Sequence, residues 1–237
     1  LLKVLNDFVR WVEQLPYASL DGIWLYRLEV LGIYIFLLLF LYYLKTRRFR
    51  NLVVCFSCLL CLGIYHTVMR WYDRPCPSLV FYNVRGCPAI HCIAEDGTSW
   101  LNYADTLSDK RRLQAVAANY WRRHQLLPPI EVTADCQNVD FCRHQQIVFY
   151  HGCRICMVTD NRWRNKSAAS PLFINYMYLC KGYNGRLEEL TGLFSPSCIL
   201  LDASLSDDRK QFFREECKRL HLHFITLSEE GSVRFLL

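Results

Sequence analysis

The chain has no internal repeat, no low-complexity tract and no Gly-x-Ser-x-Gly elbow. The first two absences exclude a repeat array and leave ordinary domain packing. The third argues against a Ser, His and Asp hydrolase assembled from Ser170 or Ser204. An excess of charge of one sign is lacking from Asp73 onward, where twenty Lys and Arg stand against eighteen Asp and Glu. Bulk charge therefore does not make that part a nucleic-acid binder. Before Asp73 eight cations face four acids, so most of the net charge of +6 sits there. No charged n-region with an apolar stretch and small-residue cleavage site precedes the first apolar run. The chain begins on Leu1 and is expected to be a fragment of something longer.

What is abundant is apolar sequence in the first third. Leu28 to Leu44 and Leu52 to Met69 are each close to the roughly 17–25 apolar residues that cross a bilayer as a helix, and together they read as a transmembrane hairpin. Between them lie Lys45, Arg47, Arg48 and Arg50. Short loops rich in Lys and Arg stay on the cytoplasmic side, so both outer ends, and the C-terminal domain, are expected outside the cytoplasm. Trp24, Tyr26, Trp71 and Tyr72 suit an aromatic belt on that outer face, and Arg27 and Glu29 stand where long side chains reach headgroups. Upstream, Leu1, Leu2, Leu5, Phe8, Val9, Val12 and Leu15 recur at helical spacing, predicting an amphipathic helix over residues 1–15 that Pro16 ends. The expected organisation is a membrane part over 1–72, a Pro-containing linker over 73–77 and one domain over 78–237.

In that domain, strands are predicted at Ser78–Val84, Ala89–Ala94 and Ser99–Tyr103, the last two joined by an Asp96-Gly97 turn. A helix over residues 109–124 with Ser108 or Asp109 as N-cap follows. Further strands are read at Ile130–Ala134, Gln146–Tyr150, Cys153–Thr159, Asn175–Cys180, Cys198–Leu201, His223–Leu227 and Val233–Leu236. Helices are read at Leu187–Phe194 and Asp207–Leu220. Hairpins interleaved with surface helices indicate an α/β sandwich.

Thirteen cysteines are many for this length. Cys55, Cys58 and Cys61 fall in the second apolar run, where thiols behave as small hydrophobes. Disulfides are open to the others outside the cytoplasm, but the spacings assign no partners. Cys153-x-x-Cys156 falls on a predicted strand, where positions three apart face opposite sides, so both are expected as core thiols rather than as a metal or redox pair. His221-x-His223 has no acidic third ligand nearby and is expected at the surface.

The order of these pieces resembles the C-terminal part of the ComEC family of competence DNA-translocation channels, over nearly the whole chain. Leu15-Pro16 and the two apolar runs look like the end of the family's membrane domain. Leu79-Val80-Phe81-Tyr82-Asn83-Val84-Arg85-Gly86 and Trp100-Leu101-Asn102-Tyr103-Ala104-Asp105 look like the opening of its metallo-β-lactamase-like domain. Gly152 to Asp160 is similar to the strand that ends in the bridging metal-ligand Asp. Ser195 to Leu201, the helix after it and Ser228 to Val233 look like the closing elements. The resemblance implies an αββα sandwich on an inner-membrane, multi-pass channel that takes up single-stranded DNA in natural transformation. Its implied partners are the upstream remainder of the channel, the membrane, DNA and other competence proteins.

Departures from the family decide the expected chemistry. A zinc hydrolase needs several His and Asp converging on metal with one position open for water. Where the family carries a H-x-H-x-D-H loop, this chain reads Glu131-Val132-Thr133-Ala134-Asp135-Cys136. Where it carries a His-His-Gly segment, this chain reads Tyr178-Leu179-Cys180-Lys181-Gly182-Tyr183-Asn184-Gly185. Only Asp105 and Asp160 match family positions, and of these only Asp160 is a ligand position. The expectation is a pseudoenzyme, with no catalytic residues, no metal and no cofactor, that docks DNA or partner proteins. The alternatives are a nuclease for the non-transported strand with a relocated metal site, and a membrane-anchored interaction domain unrelated to DNA. Arg162-Trp163-Arg164-Asn165-Lys166 interleaves cations with an aromatic, a pattern suited to phosphates and an unpaired base. Lys181 and Arg186, flanking the Gly-rich turn, are expected to join it across the former metal cleft.

Overall fold

Each apolar run becomes one helix, α1 over Arg27–Thr46 and α2 over Phe49–Tyr72. The computed structural model describes residues 24–103, 107–138 and 140–237. The amphipathic segment 1–15 and Asp105 therefore lie outside the described residues. The chain divides into two units, one ending at Asp73 and the other beginning at Arg74.

Both helices are long and apolar enough to cross a membrane by length and composition, and only 6% of each apolar window is buried. The reversal between them is tight. Arg47 takes a left-handed conformation (φ 47°) and donates its N–H to the Tyr43 carbonyl at 2.7 Å, and Arg48 caps α2 in extended conformation. Lys45, Arg47, Arg48 and Arg50 are all exposed at this end. At the other end Glu29 does not reach outward as expected; it is 4% exposed, because its carboxylate takes the Tyr26 N–H at 2.9 Å and faces His66 Nδ1 at 2.7 Å. A carboxylate in apolar surroundings is strongly favoured to find such partners. Tyr26 Oη donates to Asp73 at 2.8 Å beside the ring of Tyr65. Gly32 lets the helices approach, since a Cβ there would sit 2.3 Å from Leu62 Cδ2.

The second unit is a mixed α/β domain with two sheets. One has the order β12-β1-β2-β3-β4, from Val233–Leu236 (β12), Ser78–Tyr82 (β1), Ala89–Ile93 (β2), Ser99–Tyr103 (β3) and Ile130–Glu131 (β4). The other has the order β11-β10-β9-β8-β7-β6-β5, from Phe224–Thr226 (β11), Phe194–Leu201 (β10), Leu172–Leu179 (β9), Cys153–Val158 (β8), Ile147–Tyr150 (β7), Phe141–His144 (β6) and Cys136–Gln137 (β5). Strands β8 to β11 run parallel, β5 to β8 antiparallel. The parallel strands are apolar on consecutive positions because they are covered on both faces.

Alternation along the strands sorts side chains into three apolar layers. Leu79, Phe81, Ile90 and Trp100 meet Phe141, Tyr150, Ile155, Tyr178 and Leu200 between the sheets. Trp100 stacks on Phe141 at 5.5 Å, and Tyr150 Oη crosses to the Ile93 carbonyl at 2.6 Å. Outside the first sheet, Val80, Tyr82, Ile93 and Leu101 pack on Leu113 and Ala117 of α3 (Leu107–Arg123). Outside the second, Cys156, Val158, Met177 and Ile199 pack on α4 (Leu187–Thr191) and on Phe213 and Cys217 of α5 (Asp207–Arg219). A last turn, α6 over Leu227–Glu230, leads through Gly231 into β12. Cys153 and Cys156 fall on opposite faces of β8, in different layers, and all thirteen cysteines are free thiols.

Four expectations differ in extent. The strand at Ile130–Ala134 is only two residues long, because β3 pairs with Ile130 and Glu131 alone before Arg143 takes the Val132 carbonyl at 2.6 Å. The helix at Leu187–Phe194 stops at Thr191, and Phe194 already belongs to β10. Strands β9 and β10 both start earlier than predicted, since Leu172–Ile174 pair with Phe194–Pro196. The short hairpin of β5 and β6 lacks the alternation that would have announced it.

Candidate functional site

Loops that follow parallel strands at their C-terminal ends are where α/β sheets collect functional groups. Three such loops meet here. Residues 159–166 follow β8, residues 180–186 follow β9 and residues 202–206 follow β10. Their backbones are tied together. Lys181 N–H donates to Ser204 Oγ at 3.1 Å and Asn184 N–H to Asn161 Oδ1 at 2.8 Å. Gly182 has φ +118°, and a Cβ there would lie 2.1 Å from the Thr159 carbonyl oxygen. Glycine is required at that crossing.

Asp160 accepts from Arg162 through its backbone N–H at 3.0 Å, from Nε at 2.9 and 3.0 Å and from Nη2 at 2.8 Å. Burial pulls the carboxyl up, but the Arg162 hydrogen bonds outweigh it and hold it below its ordinary value. Arg162 is correspondingly committed to its neighbour. Trp163 fastens the loop to the domain. Its Nε1 donates to Gln146 Oε1 at 2.6 Å, its ring meets Phe194 edge-on at 5.1 Å, and Lys166 Nζ lies 5.3 Å above it. Arg164 is exposed, with Glu189 at 3.8 Å, longer than a hydrogen bond. Lys166, Lys181 and Arg186 are exposed as well. Arg186 caps α4 and borders a cleft with Phe212, Glu215, Glu216 and Arg219. The structure thus gathers Arg162, Arg164, Lys166 and Lys181 on adjoining loops and sets Arg186 on the α4 side, beside acids.

Asp202, directly after β10, did not emerge from sequence reasoning. It is 0% exposed, accepts a short hydrogen bond from Tyr178 Oη, and takes the Ser204 N–H at 2.8 Å. Burial raises its carboxyl above the ordinary range despite these bonds, and burial together with the nearby Asp202 carboxylate pushes the Tyr178 phenol up. The signal that could have found it is an acid closing the apolar run Cys198–Leu201. His223, exposed, faces Cys198 Sγ through Nδ1 at 3.2 Å, and burial pushes that thiol up to about 11. A raised thiol is a poor nucleophile.

The donor set does not fit the metal centre the fold resemblance implies. Asp160 is engaged by Arg162, Asp202 is enclosed by Tyr178 and Ser204, and neither Glu131–Cys136 nor Tyr178–Gly185 supplies a histidine. Among the described residues no group of three His, Cys, Asp or Glu is placed to hold a metal ion. What the loops offer a ligand is positive charge on a rigid backbone. A family model described as the ComEC C-terminal domain matches residues 79–237. No curated protein and no solved structure matches the chain.

Proposed function

Because the chain belongs to the ComEC C-terminal domain family, we propose that it is the C-terminal part of an inner-membrane, multi-pass channel that takes up single-stranded DNA in natural transformation. On this reading α1 and α2 are membrane spans, the basic turn at Lys45–Arg50 is cytoplasmic, and the domain stands outside the cytoplasm. The layered domain is the family's metallo-β-lactamase-like sandwich without its metal ligands, and it works as a docking surface rather than an enzyme.

One observation carries the docking role. Exposed cations from adjoining loops, Arg164, Lys166 and Lys181, share the C-terminal end of the parallel strands, where Asp160 is already neutralised by Arg162. Such a rim attracts phosphates without selecting bases. With Trp163 held by Gln146 and Phe194, the contact is mainly with the backbone.

The test uses the full chain in nanodiscs and photo-crosslinking to a single-stranded oligonucleotide. The combined Arg164→Glu, Lys166→Glu, Lys181→Glu variant should lose most of its crosslinking. The salt dependence should flatten by about 0.7 in log–log slope per lost phosphate contact. Equal yields refute the docking role, and metal-dependent cleavage of the strand refutes the non-catalytic one.

A further inference from the structure

The end of α3 and the loop from it into β4 bring together features the DNA reading does not use. Arg122 and Arg123 are exposed in the last turn of α3. Leu127 is 53% exposed and Ile130 52%, while Leu126 between them and the helix turns in to pack with the outer layer of the first sheet. Exposed aliphatic side chains beside arginines suit the boundary of a lipid bilayer, where one component enters the acyl edge and the other meets phosphate. A phosphodiester backbone gives the aliphatic pair nothing to bury against, and neither side chain offers the aromatic ring on which unpaired bases stack.

The position of this loop in the chain fits the same partner. Leu127 N–H donates to the Gly97 carbonyl at 3.0 Å. A Cβ on Gly97 would meet the Gln125 carbonyl oxygen at 3.5 Å and Pro75 Cγ at 3.8 Å. Pro75 is the third residue after Tyr72, where α2 ends, so extended chain separates the two by at most about 11 Å. That reach is comparable to the headgroup layer, on the order of 5–7 Å thick on each side of the hydrocarbon.

We propose that Leu127 and Ile130 seat in the interfacial layer of the membrane while Arg122 and Arg123 contact the phosphates of anionic phospholipids, giving the domain a fixed footing on the bilayer. The proposal rests on reading α2 as a membrane span. Glu95 and Asp96 lie in the turn that Leu127 bonds to, and Glu131, next to Ile130, is paired with Lys110 at 2.5 Å. Asp96 is turned back on Thr98, accepting from its N–H at 2.8 Å and its hydroxyl at 2.6 Å. Reversing the two arginines should therefore abolish the preference for anionic lipid.

Alkaline carbonate extraction comes first: release of the full chain from membranes refutes the spanning reading and the footing with it. For retained chain, amide hydrogen exchange is compared in nanodiscs of phosphatidylcholine and of phosphatidylcholine with one third phosphatidylglycerol. Amides of residues 120–131 should exchange more slowly in the anionic discs, on the order of fivefold per arginine engaged, with α5 unchanged as the folding control. The Arg122→Glu, Arg123→Glu variant should lose that difference, and Leu127→Asp should reduce protection in both lipids. Equal exchange in the two lipids overturns the footing while leaving the span intact. Protection that arises only on adding a single-stranded oligonucleotide also overturns it and assigns the surface to nucleic acid.

Discussion

Mild acidification should loosen α3 from the first sheet through His91. This residue lies in β2 on the face covered by α3 and is 0% exposed. Its Nδ1 is hydrogen-bonded to Tyr82 Oη at 2.9 Å, and Tyr82 Oη accepts from Trp121 Nε1 at 2.8 Å. The rings of Tyr82 and Trp121 flank it at 5.8 and 5.7 Å, and Nε2 has no protein partner. Burial lowers its pKa from 6.5 to about 3, with no acid in hydrogen-bond contact to oppose the shift. The unfolded chain therefore binds a proton near pH 6.5 that the folded chain refuses until near pH 3. The resulting stability is complete above pH 6.5 and drains away as pH falls between those values. At about 1.4 kcal/mol per pH unit, the loss reaches roughly 2.5–3 kcal/mol by about pH 4.5 and about 5 kcal/mol in all. In a urea titration of the full chain in detergent, followed by near-ultraviolet circular dichroism, that loss should lower the midpoint by roughly 1–1.5 M. His91→Gln removes this titration and keeps a hydrogen-bond partner for Tyr82, so its midpoint should fall by that much less over the same range. Other acids titrate in both proteins and cancel in the comparison. Parallel pH profiles for the two would refute the reasoning.

Gly182→Ala should destabilise the domain by about 2–4 kcal/mol, since it adds a clash with the Thr159 carbonyl to a left-handed φ, whereas Gly86→Ala, with φ +82° and open space, should lose only about 1 kcal/mol; denaturant midpoints compare them. Phe81→Ala, in the layer between the sheets, should lower stability by about 3–5 kcal/mol in the same titration. Asp202→Ala leaves the buried Tyr178 hydroxyl without its acceptor and should cost about 1–3 kcal/mol, and Asp202→Asn less. Gly32→Val should push α1 from α2 at Leu62 and speed amide exchange in both helices in nanodiscs.

Much of the domain could be read residue by residue, and the misses share a cause. The turn at Asp96-Gly97 carries its left-handed geometry in residue type, and the structure holds Gly97 at φ 82°. The extension of β10 through Pro196 was hidden because proline disfavours a central strand. It is tolerated because β11 pairs only with Ile199–Leu201, so the Phe194–Pro196 end is an edge on that side. The β5 and β6 hairpin is held by Asp135, which accepts the Gln145 N–H at 2.6 Å, and by Arg143 on the Val132 carbonyl. Such polar contacts leave no periodic trace. At the site, the cations of 162–166 were visible as residue types, but not which of them already had partners.

Local sequence by itself determined the two long apolar helices, the basic turn between them, most strand positions and the lack of histidines where the resemblance expects a metal, because periodicity, turn chemistry and residue type are properties of neighbours in the chain. Only the tertiary structure decided that Arg162 is taken by Asp160, that Trp163 is fastened to Gln146 and Phe194, that Glu29 turns in toward His66 and that Asp202 is sealed beneath Tyr178. Apart from Arg162 and Asp160, which lie two residues apart, each of those outcomes joins groups distant in sequence. It turns on which pairings satisfy a polar group once water has been removed, and that is settled by packing.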